Sequence, residues 1–491
     1  MDEVKRLLLD FSPSPASYPS TKSYDAAAKS YAASVTKLSS DVQTAIQRNP
    51  IEALQLVDPS TNSIGYLSII DTLLRGSVPE STPRSLLLDE AVRFLLKFDP
   101  IQIRYVGSLF RSLLEDLGSF FSKQPLVAVE LLANAILRID PSGSVFTSTH
   151  LIMAKLAYDT NCIEPALKVL DADILFYPRN THPARPENAK NLYDTEVEPY
   201  VYIASASLTD AIKSTSILEY HLLQALAYIS RKDWPKAQVA LERVIGHPIK
   251  DKGVSKIMVD GYKKWLLVGL LREGRPPSFP SYITNATKST YNGLSEAYNN
   301  IATLFTTDGA SALKEEFEKG RPTWEEDSNL TLLEEALVSY QKWQVINLRR
   351  IYHQVSVSQI RQTTLSAQTA ETLKDDGEVL QLVSDMIDSG MLKGKLQVGL
   401  TAGESYVTFH EEHDLMTEAD FAREVARSHA SIETLTKQYR VTNERLSSTK
   451  DYARHLVREQ KRMDKDIADA GVGFDTHIED EDLMTGVLGG A

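Results

Sequence analysis

From Thr417 to Ala470 the chain contains neither Gly nor Pro, and so long a stretch without a breaker has few options other than helix. Stepped in alternating fours and threes from Phe421, it gives Phe421, Val425, Ser428, Ile432, Leu435, Tyr439, Thr442, Leu446, Thr449, Ala453, Leu456, Gln460, Met463 and Ile467. Most of these are apolar, and a 4-3 recurrence lays them along one seam. At 1.5 Å per residue a single helix over this range reaches on the order of 80 Å, more than one small domain covers. The seam therefore calls for other protein. Its expected contacts in a helical bundle are Phe421, Val425, Ile432, Leu435, Tyr439, Leu446, Leu456 and Met463.

Upstream, Ser356 to His410 reads as a small helix-helix-strand-strand unit. Ser356 opens S-V-S-Q, a capping-box pattern that starts a short helix through Ile360. Asp376 is placed to cap a second helix, in which Val379, Leu382, Val383, Met386 and Ile387 recur at helical spacing. Gly390 suits a left-handed stop. The runs M-L-K-G-K-L-Q-V and Y-V-T-F-H flank the turn-rich G-L-T-A-G-E-S and describe a two-stranded wing. Helix, helix, hairpin is the order of a winged helix. Its strands offer an edge for pairing with another chain, with Lys393, Lys395, Tyr406, Val407 and Phe409 as the expected interface.

The first half of the chain alternates helical patterning with short breaks at Pro50, Pro59, Gly76, Pro100, Gly118, Pro125 and Pro141. P-I-E-A-L-Q-L-V, P-L-V-A-V-E-L-L, I-E-P-A-L-K-V-L and P-K-A-Q-V-A-L place alanines at 53, 128, 166 and 237. These separations lie near multiples of one period of about 36 residues, the range of two-helix solenoid repeats. The alternative is ordinary helix-start chemistry, since Pro in a first turn followed by Ala and Leu is common. The clearest single unit has two helices meeting at Asp233-Trp234-Pro235, with tetratricopeptide-like character. Phe11 to Lys22 is Ser/Pro-rich and reads as an arm, Tyr177 to Lys190 as an exposed loop, and Glu315 to Trp324 as a polar interruption before a helix from Leu330 to Tyr352.

Chemistry is hard to find in this sequence. H-E-E-H at His410 to His413 sets two histidines three apart, whereas one zinc held from a helix needs them four apart. No His-x-His pair, nucleophile elbow, Rossmann glycine triplet or P-loop occurs; G-M-L-K-G-K-L at Gly390 has the wrong spacing and lacks the magnesium-binding hydroxyl. Cys162, the only cysteine, sits at a helix entry and is expected to be a buried or half-buried structural thiol. No catalytic, cofactor or metal site is expected. A net charge of −13 argues against general attraction to nucleic acid or anionic membrane. Residues 341–410 are neutral, with seven basic and seven acidic residues, and the candidate recognition helix carries Glu378, Asp385 and Asp388 and no base. One cysteine and no long apolar run lead to the expectation of an intracellular protein of cytoplasm and nucleus, with no membrane span.

The order of parts resembles the PCI-domain proteins, subunits of the proteasome lid, the COP-nine signalosome and translation initiation factor three. The likeness to the signalosome branch is carried by N-S-I-G-Y-L at Asn62, I-R-Y-V at Ile103, K-Q-P-L at Lys123, E-P-A-L-K-V-L-D-A-D-I at Glu164, G-Y-K-K-W-L-L-V at Gly261, L-S-E-A-Y at Leu294, M-I-D-S-G at Met386 and V-T-F-H at Val407. It implies a mainly α chain: a right-handed helical-repeat, tetratricopeptide-like solenoid, then a PCI winged-helix domain and a long C-terminal helix. The expected divisions are an arm over 1–22, repeats over 23–210, the helical part of the PCI domain over 211–352, a winged helix over 353–412, a bundle helix over 413–470 and an acidic tail over 471–491. It further implies a non-catalytic scaffold in the complex that removes a ubiquitin-like modifier from cullins and regulates cullin-RING ubiquitin ligases. Its neighbours would be subunits one and eight through their PCI domains, and several subunits through a C-terminal bundle. A proteasome-lid subunit and a nucleic-acid-binding PCI protein are the alternatives.

Overall fold

A computed structural model describes residues 1–178, 192–194, 197–248, 253–399, 405–410, 418–447 and 450–469. The chain is mainly helical, and among the described residues the three strands, each three or four residues long, all follow residue 353. It divides into two compact units, Met1–Ile351 with Ser356–Leu382, and Tyr352–Val355 with the chain from Val383 onward.

In the first unit, successive helices pack on their neighbours: Pro125–Ile139 on Ser148–Asp159, Ser148–Asp159 on Ser214–Ser230, Ser214–Ser230 on Trp234–Ile245, and Trp234–Ile245 on Lys256–Glu273. Such nearest-neighbour packing is the logic of a helical solenoid. The turn at Asp233-Trp234-Pro235 forms as read: the Asp233 carboxylate accepts from the Lys236 N–H, with Pro235 in the first turn. The four alanines near the common period, Ala53, Ala128, Ala166 and Ala237, are all fully buried. A methyl group at those points lets neighbouring backbones approach closely.

Two helices are buried on all sides for two turns and are therefore central. In Ser63–Arg75 the run from Ser63 to Ile70 is buried without a break, and in Lys256–Glu273 so is the run from Lys264 to Leu271. N-S-I-G-Y-L and G-Y-K-K-W-L-L-V, two of the segments behind the resemblance, lie there. Asn62 caps the first by accepting from the Gly65 N–H.

Several boundaries differ from expectation. Gly118 lies inside the helix Gly107–Phe120 and does not break it, a single glycine near a helix end costing only about 1 kcal/mol. The polar stretch Glu315 to Trp324 belongs to a helix, Ala310–Glu326, that contains Pro322. Its buried stripe of Leu313, Phe317 and Trp324 is narrow enough to be hidden among charges. The Pro-rich loop lies outside the described residues from Arg179. Where the chain is described again, Leu192 donates from its N–H to Asp25 Oδ1 at 3.0 Å, and the Arg104 guanidinium donates to the carbonyls of Leu192 and Asp194.

A polar network joins the second half of this unit. Lys263 Nζ meets both Asp327 oxygens at 2.8 and 2.7 Å, Tyr298 donates its hydroxyl to Asp327 Oδ2 at 2.8 Å, and Asn329 donates to the Tyr298 oxygen at 2.9 Å. Tyr298 is buried and Lys263 largely so. Asp327→Ala removes the shared acceptor and strands two donors, so it is expected to lower unfolding free energy by about 2 kcal/mol. Urea unfolding measures this, and a loss within a few tenths would show that the network contributes nothing net.

The second unit carries the sheet. β1 is Gln354–Ser356, β2 Gly394–Gln397 and β3 Tyr406–Phe409, in the order β1-β3-β2. The sequence indicated two strands; β1 is a third, recruited because the Phe409 N–H donates to the His353 carbonyl at 2.9 Å.

Candidate interaction surfaces

The two helices before the wing are built by local capping. Ser356 Oγ accepts from the Gln359 N–H and starts Val357–Thr363, three residues longer than expected. The long helix Leu330–Leu348 anchors the turn after this short helix: Gln344 Oε1 accepts from the Leu365 N–H at 2.8 Å, and Gln341 donates to Thr364 Oγ1 at 3.2 Å. The second helix is Asp376–Asp388, and its cap is Asp375, whose Oδ1 accepts from the Glu378 N–H. The expected cap, Asp376, is the first helical residue and pairs with Arg361. Val379, Val383 and Met386 are buried, and Gly390 adopts φ +71°, the left-handed stop the sequence suggested.

β2 and β3 pair antiparallel, with Gly394 opposite Phe409, Lys395 opposite Thr408, Leu396 opposite Val407 and Gln397 opposite Tyr406. A Cβ on Gly394 would sit 2.7 Å from the Thr408 carbonyl oxygen, so this first residue of the strand needs glycine for close approach. β2 is an outer strand of this sheet. Lys393 just before it and Lys395 within it are exposed, Tyr406 is half-buried, and Val398 just beyond it is 68% exposed.

Val407 and Phe409 correct the sequence reading. They are 0% and 2% exposed, on the inner side of the central strand. Alternation along a strand sends residues two apart to one face, and here that face is core. Their side chains fill this chain's own interior and are not contact surface.

The C-terminal segment is described as two helices, Glu418–Ser447 and Lys450–Asp469, with 448–449 outside the described residues. Phe421, Val425, Ile432, Leu435, Tyr439 and Leu446 are all exposed, Phe421 at 60% and Tyr439 at 72%. At 3.6 residues per turn the 4-3 positions from 421 to 446 fall within a face about 100° wide. Glu433 and Lys437, paired at 2.8 Å, occupy the other side. In the second helix Leu456 is exposed, and so is Val457, a residue the 4-3 count passed over. The side chain of Met463 lies outside the described residues, as do His413 and the acidic tail.

Chemical groups elsewhere are structural in their surroundings. Cys162 is half-buried, with its thiol toward the Thr160 carbonyl. Among the described residues no group of three His, Cys, Asp or Glu side chains could hold a metal, and no helix is long and apolar enough to cross a membrane. Two histidines, His150 and His221, which no motif singles out, are buried. The Thr147 N–H donates to His150 Nδ1 at 3.1 Å, which makes Nδ1 an acceptor and puts the ring proton on Nε2. His221 is held the other way: Gln224 Oε1 accepts from its Nδ1, and Nε2 faces the Tyr177 hydroxyl, both at 2.9 Å. Burial lowers the His150 pKa to about 3 and that of His221 to about 4.

A model of the family described as "COP9 signalosome complex subunit 3, N-terminal helical repeats" matches residues 26–287. Among curated proteins, COP9 signalosome complex subunit 3 of Neurospora crassa is 34% identical over 487 residues, covering 96% of this chain and 97% of that protein. The protein of the same name from Emericella nidulans is 28% identical over 355 residues, 70% of each chain.

Proposed function

Since the chain belongs to the COP9 signalosome subunit 3 family, we propose that it works as a non-catalytic scaffold of the signalosome, the complex that deneddylates cullins and so regulates cullin-RING ubiquitin ligases. The observation that carries this reading is the exposed apolar face from Phe421 to Leu446, on a helix that buries almost none of its described residues within this chain. A face of that kind is stable in water only when another helix covers it.

In this reading the helix enters a bundle with other signalosome subunits, and the outer strand β2 joins the sheet of a neighbour by main-chain pairing. Subunits one and eight are the neighbours proposed for that end. Lys393, Lys395 and Tyr406 would frame the joint, and Val407 and Phe409 would stiffen it from inside. The acidic face of Asp376–Asp388 supports a protein partner over DNA, because Glu378, Asp385 and Asp388 repel phosphates. Residence in both cytoplasm and nucleus belongs to the same proposal, and fluorescence microscopy of the tagged chain tests it.

Affinity purification of the tagged full chain from its own cells, followed by native mass spectrometry, tests the assignment. The expected result is one copy of this chain with the other signalosome subunits, and cross-links from the wing lysines to subunits one and eight. Recovery alone, or with proteasome-lid subunits, overturns it.

A further inference from the structure

The chain contains three Ser/Thr-Pro dipeptides, Ser12-Pro13, Ser14-Pro15 and Thr82-Pro83. The sequence does not rank them, but the fold does. Thr82 is buried, at 8% exposure. Ser12 is half-buried and donates its hydroxyl to Ser17 Oγ at 3.0 Å, next to Phe11, whose ring stacks on Tyr31 at 4.7 Å in the core. Ser14 is exposed, as are Pro15, Ala16 and Ser17, and its hydroxyl makes no capping bond.

We infer that Ser14 is a phosphoacceptor for a proline-directed Ser/Thr kinase. A kinase cleft takes its peptide extended. The residue before a proline is biased toward that conformation, and Ser14 already holds it, at φ −81° and ψ 121°. The stretch lies between two fixed points, Phe11 in the core and Ser20, whose hydroxyl accepts from the Ser23 N–H at the start of the next helix. Between them, extending the segment opens the bonds from the Ser17 N–H to the Ser14 carbonyl and from the Tyr18 N–H to the Pro15 carbonyl, together with the Ser12–Ser17 hydroxyl bond, while the Tyr18 ring stays against Phe11 and Tyr24. Exposed turn bonds of this kind open at little cost. In the reaction Ser14 Oγ attacks the γ-phosphorus of ATP, the bond to the bridging oxygen breaks, ADP leaves and the hydroxyl proton passes to the kinase's base. The product places a charge of about −2 on this segment. Because the Ser14 hydroxyl holds nothing in place, the fold tolerates it.

The test incubates the purified full chain with ATP and a proline-directed kinase, then maps phosphate by peptide mass spectrometry. Incorporation is expected at Ser14, lost for the most part in Ser14→Ala and kept in Ser12→Ala, with the thermal midpoint of Ser14→Asp unchanged. A synthetic peptide spanning residues 8–20 serves as the control. Phosphorylation of that peptide but not of the folded chain overturns the inference, and so does phosphate shared equally among Ser14, Ser12 and Thr82.

Discussion

Taking the protein from pH 7 to pH 5 is expected to lower its unfolding free energy by on the order of 3 kcal/mol, from His150 and His221 alone. Both are buried and neutral when folded, with pKa values lowered by burial to about 3 and about 4. In the unfolded chain each returns to about 6.5. Between the two limits the unfolded state binds protons that the folded state refuses, so stability rises with pH across the window and falls on acidification. Above about pH 7 both states are neutral and the dependence vanishes. The geometry agrees with the sign, since protonating His150 Nδ1 sets an N–H against the Thr147 N–H that now donates to it. Urea titrations at pH 5, 6 and 7 measure the slope. His221→Gln should remove close to half of it, whatever it costs at pH 7. An unchanged slope in the double variant with His150→Gln would place the acid sensitivity elsewhere.

Phe421→Asp with Leu435→Asp should release the chain from its complex while leaving its own fold intact. Burying one such side chain contributes about 1.5–3 kcal/mol, so two losses together weaken association by roughly two to four orders of magnitude. A buried carboxylate adds to that. The unassembled chain should not notice, because Phe421 and Leu435 are 60% and 62% exposed in it. Co-purification with the other subunits measures the first effect, and thermal unfolding of the isolated variant the second. Retained assembly at wild-type strength would remove the helix from the interface. A lowered midpoint would mean that the face packs within this chain.

How much of this could be read from residues alone depended on the range of the interaction. Local chemistry was legible: Ser356 caps the helix it precedes, and Gly390 stops its helix left-handed, because each acts on backbone groups within four residues. The membership of the chain was legible from segments such as N-S-I-G-Y-L, which the fold buries from Asn62 to Leu67. Long-range terms were not. β1 exists only because the strand ending at Phe409 lies beside it. Val407 and Phe409 looked like edge residues because an alternating pattern does not say which face is inside. Ala310–Glu326 carries so few apolar residues that its helix shows only in three dimensions. The buried histidines were invisible for the same reason, since nothing beside His150 or His221 in the sequence marks them as interior.

The uncovered face of Glu418–Ser447 has one more consequence, for supply. A copy made in excess of its partners keeps that face wet, and a wet apolar stripe sticks to itself or to whatever chaperone or protease reaches it first. In the proposed assembly a copy that finds its complex loses the stripe from view. On that proposal the helix ties the lifetime of the chain to the number of places waiting for it, and surplus copies are expected to be cleared without a dedicated sensor.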